Sequence, residues 1–233
     1  GDMTQRGRAH EWDEAGRLLA APGLPLVVIE GNHETKLGAV DGTAILARHG
    51  IALATVHPGW LDLPGVRIVG LPTAGWHTDV GQVDGPVLAE ASGLTASAEG
   101  GAVVVLHHYP QRFRYPTLYP PGIPGADAHR LLDTLAAANP ATLVVAGHSH
   151  RHRWHRHATM VVAETGSTKD FPGTWTGYTV HEGGILQTSR RILDPSAMAW
   201  TARGRRVLGG VWGVWAHGVR SHRCFTYVWP PRA

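Results

Sequence analysis

Three stretches of this chain end an apolar run in side chains that bind metal ions. Leu143-Val144-Val145-Ala146 runs into Gly147 and then His148 and His150, one residue apart. Leu26-Val27-Val28-Ile29 leads into Glu30-Gly31-Asn32-His33-Glu34, and Ala102-Val103-Val104-Val105-Leu106 into His107-His108-Tyr109-Pro110. Imidazole nitrogens mixed with carboxylate oxygens suit zinc, manganese or iron better than calcium. An ion held by such ligands brings the pKa of a bound water near neutrality, which gives a nucleophile without any Ser or Cys. One apolar run followed by histidine is unremarkable. Three in one chain form a pattern.

Short apolar runs of this kind read as buried strands ending at turns. Gly147 lets the backbone bend away from the sheet, so that the imidazoles behind it face the space above the strand end. If the three strands share one sheet, their ends deliver Asn32, His33, His107, His108, His148 and His150 to one edge. Ligand sites of α/β sheets lie there, off the carboxyl ends of the strands. An amphipathic helix is expected from His10 to Ala21, closed by Pro22-Gly23. Further helices are expected over Val40–His49, Pro86–Ala98 and His129–Ala138, the last stopped by Asn139-Pro140. Other strands are expected at 51–56 and 66–71, joined by a Pro-Gly-rich turn, and at 159–164, 177–181 and 185–192. The alternation predicts a layered α/β domain over residues 1–193, with helices packed outside the sheet. Residues 109–125 hold five prolines and four aromatics without periodicity, which reads as a long loop placed where binding loops are found.

The 233 residues are 43% hydrophobic and 17% charged, the balance of an ordinary globular chain and not of a disordered one. A single cysteine, Cys224, excludes an intramolecular disulfide framework and a multi-Cys zinc site, and fits a reducing, cytoplasmic setting. No apolar run approaches the ~20 residues that span a bilayer. Charge is uneven: residues 1–193 hold 15 Lys and Arg against 17 Asp and Glu, whereas 194–233 hold six Arg against Asp194 alone. That segment reads as a basic, Trp/Arg-rich extension packed on the domain, with Trp200, Trp212, Trp215 and Trp229 as anchors. Its charge is expected to be a solvated face, with no nucleic-acid partner. His152, His155 and His157 are expected in a basic, solvated connection between strands.

The set Gly1-Asp2, Gly31-Asn32-His33-Glu34, His107-His108 and Gly147-His148-Ser149-His150 resembles the calcineurin-like metallophosphoesterase superfamily. Its blocks run Asp-x-His, Gly-Asp, Gly-Asn-His-(Asp/Glu), His and Gly-His-x-His, and four of the five stand here in order, over residues 1–192. The stretch Gly1 to Glu34 and the closing Gly-His-Ser-His look most like the bacterial branch containing class III cyclic-nucleotide phosphodiesterases. The resemblance implies a four-layer α-β-β-α sandwich with its first strand missing, the Asp-x-His block being expected on a segment ahead of residue 1. It implies two divalent metal ions, Mn, Fe or Zn. Asp2 would bridge them, Asn32, His107 and His148 would complete the second site, and His150 would belong to the first. His33 would be catalytic and not a ligand, donating to the phosphate or to the leaving oxygen. The implied reaction is hydrolysis of a small phosphodiester, a cyclic nucleotide being one candidate, by one-step in-line attack of a metal-bridging hydroxide. A phosphomonoesterase or nuclease on the same scaffold is an alternative. So is a catalytically impaired metal-binding or interaction protein, because the first block is absent. The oligomeric state is left open.

Overall fold

The structure, a computed structural model, describes residues 1–36, 40–112 and 120–231; the centre of the proline-rich loop expected over 109–125 lies outside them. In chain order the elements are α1 (Ala9–Ala20), β1 (Val28–Ile29), α2 (Asn32–Thr35), α3 (Thr43–Arg48), β2 (Leu53–Ala54), β3 (Gly59–Leu63) and β4 (Val66–Gly70). There follow α4 (Gly85–Ala96), β5 (Gly101–Leu106), α5 (Gly125–Ala138), β6 (Thr142–Ala146), β7 (Arg153–His157) and β8 (Met160–Glu164). The chain ends with β9 (Thr174–His181), β10 (Gly184–Arg191), α6 (Pro195–Gly204), α7 (Val211–His217), α8 (Arg220–Arg223) and β11 (Cys224–Val228).

Six strands form one sheet in the order β3-β4-β5-β6-β8-β7. The inner four run parallel and the two edges antiparallel to their neighbours. The inner strands are near-continuous apolar runs because both of their faces are covered. Val104, Leu106, Val144 and Val162 pack with Leu88, Leu131 and Leu135 of α4 and α5 on one face. Val103, Leu143, Val145 and Val161 pack on the other against Ile185 and Tyr227 of a three-stranded antiparallel sheet ordered β11-β10-β9.

The parallel pair β1–β2 lies on that same second face: a Cβ added at Gly70 would meet Val27 Cγ1 at 2.4 Å and Ile29 Cγ2 at 2.9 Å. Val28 and Leu53 of the pair turn the other way, into a cluster with Trp12 of α1 and Ile45 and Leu46 of α3. The layers therefore run helix, sheet, sheet, helix. Trp12 is fully buried at the centre of the outermost interface, where truncation to Ala would cost about 3–5 kcal/mol. Among the described residues no helix is long and apolar enough to cross a membrane.

Both edges of the large sheet escape the apolar-run pattern. The connection between the strands expected at 51–56 and 66–71 contains β3, whose Asp62 pairs with Arg67 across the hairpin, Nε to Oδ1 2.7 Å, with Arg67 also over the Trp60 ring. The residues expected to form a solvated basic connection are instead β7, Arg-Trp-His-Arg-His, paired to β8. Edge strands carry charge because one row of their backbone groups is open to other chains, so composition misreads them as loop.

The 194–233 segment also enters the fold. Asp194 caps α6 by accepting from Ala197 N at 2.8 Å. At the far end β11 pairs with β10, and Tyr227 is buried between the sheets with its hydroxyl donating to Pro140 O at 3.0 Å. Trp229 packs beside it. Trp200, by contrast, is exposed, with Arg203 over its ring.

Candidate metal centre

β5 and β6 are parallel neighbours with Leu106 opposite Ala146, so His107-His108 and Gly147-His148 leave the sheet side by side. Gly147 N donates to His107 O at 3.1 Å and ties the two ends together. The ring centroids of His107, His108 and His148 lie 4.6–5.0 Å apart, and one nitrogen of each falls within 4.8 Å of the others. The loop ahead of α1 and the end of β1 supply the remaining donors, Asp2 and Asn32. His107 Nε2 is 2.9 Å from Asn32 Oδ1 and 3.4 Å from Asp2 Oδ1. Asn32 Nδ2 donates to Asp79 Oδ1 at 2.8 Å, which holds the amide with its oxygen toward the cluster.

The loops carrying Asp2 and Asn32 are fastened by one carboxylate. Glu34 Oε2 accepts from Asp2 N and Gly31 N, both at 2.7 Å, and Oε1 accepts from Thr4 N at 2.7 Å and Thr4 Oγ1 at 2.8 Å. Glu34 is buried, so these four bonds are what make its charge tolerable there. Gly31 is required by close approach: a Cβ would fall 2.2 Å from Asp2 Oδ1 and 2.8 Å from His107 Cε1. Asp2, His148 and His150 all adopt left-handed backbone, with φ of 58°, 60° and 51°. Such strain in non-Gly residues costs of order 1–3 kcal/mol each and gathers at functional sites.

Burial sets the charge states. Desolvation, then the Gly1 ammonium and neighbouring histidines, lowers the His107 pKa well below its ordinary value. Desolvation lowers His108 to about 3 and His148 to about 4. All three are neutral at pH 7, the form that ligates metal. The Nε2 atoms of His108 and His148 are buried and have no hydrogen-bond partner among the described residues. Each such atom costs about 1–3 kcal/mol unless something satisfies it. A divalent cation fits: the set offers imidazole nitrogens, a carboxylate and an amide oxygen, and no thiolate.

The sequence pattern of the calcineurin-like phosphoesterases matches residues 1–152. The chain belongs to that family. It is a family of metal-dependent phosphoester hydrolases. No curated protein matches the chain in sequence. Among solved structures, the crystal structure of TT1561 of Thermus thermophilus is similar, at 12% identity and a TM-score of 0.52 over 82% of this chain and 83% of that one. Identity that low speaks for the fold alone.

Of the residues expected at the phosphoesterase site, Asp2, Asn32, His107 and His148 are brought together. His150 stands beside them in the same cleft, its Nδ1 2.5 Å from Asp170 Oδ2. His33 lies in that cleft too, with Nδ1 2.9 Å from Gln5 O. The cleft measures about 660 Å³, and its lining includes Lys36 and Lys169 together with Val207, Leu208 and Trp212. Four contributors escape the sequence reading. His108 shares the cluster with His107, although only the first of the pair is expected to ligate. Glu34 stands three residues after Gly31, a helix-cap spacing that could have marked it. Asp79 and Asp170 sit in loops with no local signal.

Proposed function

We propose that this chain hydrolyses phosphodiesters in the cleft above Asp2, Asn32, His107 and His148. The observation that carries the reading is the pair of buried, unpartnered Nε2 atoms on His108 and His148 beside that donor set. Two divalent ions, Mn, Fe or Zn, would supply Lewis-acid polarisation of the phosphoryl group and activation of water. Asp2, Asn32, His107 and His148 would hold one, with His108 in the same cluster, and Asp2 with His150 would hold the other. With Nδ1 bonded to Asp170, His150 keeps Nε2 as its ligating atom, the usual carboxylate–histidine arrangement.

The chain's own groups do the rest. Asp79 fixes the rotamer of the Asn32 amide. The Gln5 carbonyl accepts from His33 Nδ1, so a proton passed to the leaving oxygen comes from Nε2. Gln5 is itself held by Lys169 Nζ, 3.0 Å from its Oε1. The apolar side chains that line the cleft along with Lys36 and Lys169 suit a phosphate carrying two organic groups better than a dianionic monoester.

Metal analysis, together with turnover of bis-p-nitrophenyl phosphate and p-nitrophenyl phosphate, tests this. Bound divalent metal and a kcat/KM at least about tenfold higher for the diester are expected. A protein that binds no divalent metal, or prefers the monoester, sinks the reading.

A further inference from the structure

We propose that a groove next to the catalytic cleft, lined by Arg191, Arg203, Arg205 and Arg206 with Phe171 and His217, binds single-stranded nucleic acid and leads it to the cleft. The second half of that statement rests on the phosphodiesterase reading; the binding itself does not. The groove measures about 1270 Å³, larger than the cleft. Its guanidinium groups come from separate places: Arg191 ends β10, Arg203 lies in the last turn of α6, and Arg205 and Arg206 follow it. Among the described residues none of the four is ion-paired with a carboxylate. The sole acid of the 194–233 segment, Asp194, is occupied in capping α6.

A solvated basic face would explain arginines spread over a helix end, but not their convergence with stacked rings. Phe171 and His217 stack with centroids 5.9 Å apart, and Arg205 lies 5.9 Å from the Phe171 centroid. The His217 pKa is lowered, by desolvation first and then by Arg223, Arg205 and Arg191. Cations for a phosphate backbone beside aromatic faces for bases are the two parts of a single-strand site. A sulfated or simple polyphosphate ligand would use only the first.

Residues 204–213 form a wall between groove and cleft. Gly204, Val207, Leu208 and Trp212 face the cleft, while Arg205, Arg206, Gly210 and Gly213 face the groove. Trp212 stands at the crossing, its ring 6.4 Å from that of His150. Groove and cleft therefore adjoin across this one segment.

Fluorescence anisotropy of a labelled oligo-dT with the full chain in EDTA, where no hydrolysis interferes, is the test. Binding is expected to weaken with salt, with a log–log slope of about −3 for four phosphate contacts on a single strand. Arg203→Ser/Arg205→Ser/Arg206→Ser, checked for folding by circular dichroism, should weaken it about tenfold or more, and Arg205→Glu alone should weaken it measurably. Phe171→Ala should weaken oligo-dT and leave heparin binding unchanged. Absence of binding at low salt, or arginine variants that bind like the parent, overturns the site. Equal response of oligo-dT and heparin to Phe171→Ala overturns the nucleic-acid assignment. Tight oligonucleotide binding without diester turnover in added metal would leave the groove standing and remove the phosphodiesterase reading.

Discussion

His108 and His148 resemble His152 and His155 by every local measure. All four are at least half-buried, and desolvation lowers the pKa of His108 to about 3 and of the other three to about 4. The difference lies at the ring nitrogens. In the β7 region His152 Nε2 is 2.9 Å from Thr174 Oγ1, His157 Nε2 is 2.7 Å from Asp133 Oδ1, and His155 belongs to no cluster of ligating side chains among the described residues. In the strand-end cluster the Nε2 atoms of His108 and His148 have no partner among the described residues, and both residues belong to one group of ligating side chains. Burial and a lowered pKa thus mark any packed histidine. Unpartnered ring nitrogens gathered in one cluster mark the candidate ligands.

The sharpest break between the two groups is expected on truncation. His148→Ala should lose bound divalent metal and diester turnover by a factor of about 10³ or more. His155→Ala should keep the metal content of the parent. Metal analysis and bis-p-nitrophenyl phosphate assays on both variants decide it, and metal retained by His148→Ala would erase the distinction. A smaller effect is expected on stability. Zinc or manganese at 100 times Kd should stabilise the fold by about 2.7 kcal/mol, visible as a rise in Tm of several degrees. His157→Gln should show the same rise, and His108→Gln a reduced one.

Asp79→Asn comes next. Asp79 reaches Asn32 across 47 residues, and its loss frees the amide to turn its nitrogen toward the cluster. Metal affinity should fall about 10- to 100-fold, the range for a group that orients a ligand, while the folded structure persists. Competition with a chelating dye measures this. Unchanged affinity would reduce Asp79 to a partner of Lys36.

What could be read from the sequence follows the same division. Strands β5, β6 and β8 are buried on both faces, so their apolar runs are continuous and their ends, with the histidines, are plain in the order of residues. Strands β3, β7 and β11 are sheet edges with open or polar faces, and Arg153–His157 therefore looks like solvated connection. Asp2, Asn32, His107 and His148 carry family-like spacing. Asp79 acts through Asn32 and Lys36, 47 and 43 residues away, and Asp170 through His150, 20 residues away, and nothing local announces them. The groove arginines are visible as composition, but only folding sets Arg191 opposite Arg203, Arg205 and Arg206.

The gentlest expectation concerns acid, and here the two groups should behave alike. A histidine whose folded pKa is lowered binds its proton more readily in the unfolded chain. Its contribution is therefore intact above the ordinary value of 6.5 and is lost as pH falls toward the folded value, about 4 for His148, His152 and His155. The metal-free protein should thus lose stability progressively between pH 6.5 and 4 in urea melts. His155→Gln, which removes one such site outside the cluster, should flatten that slope slightly without touching metal binding. Saturating metal should leave the β7 share of the slope in place, because nothing at His152 or His155 depends on the ion. A pH profile abolished altogether by metal would mean that the two histidine groups are energetically one.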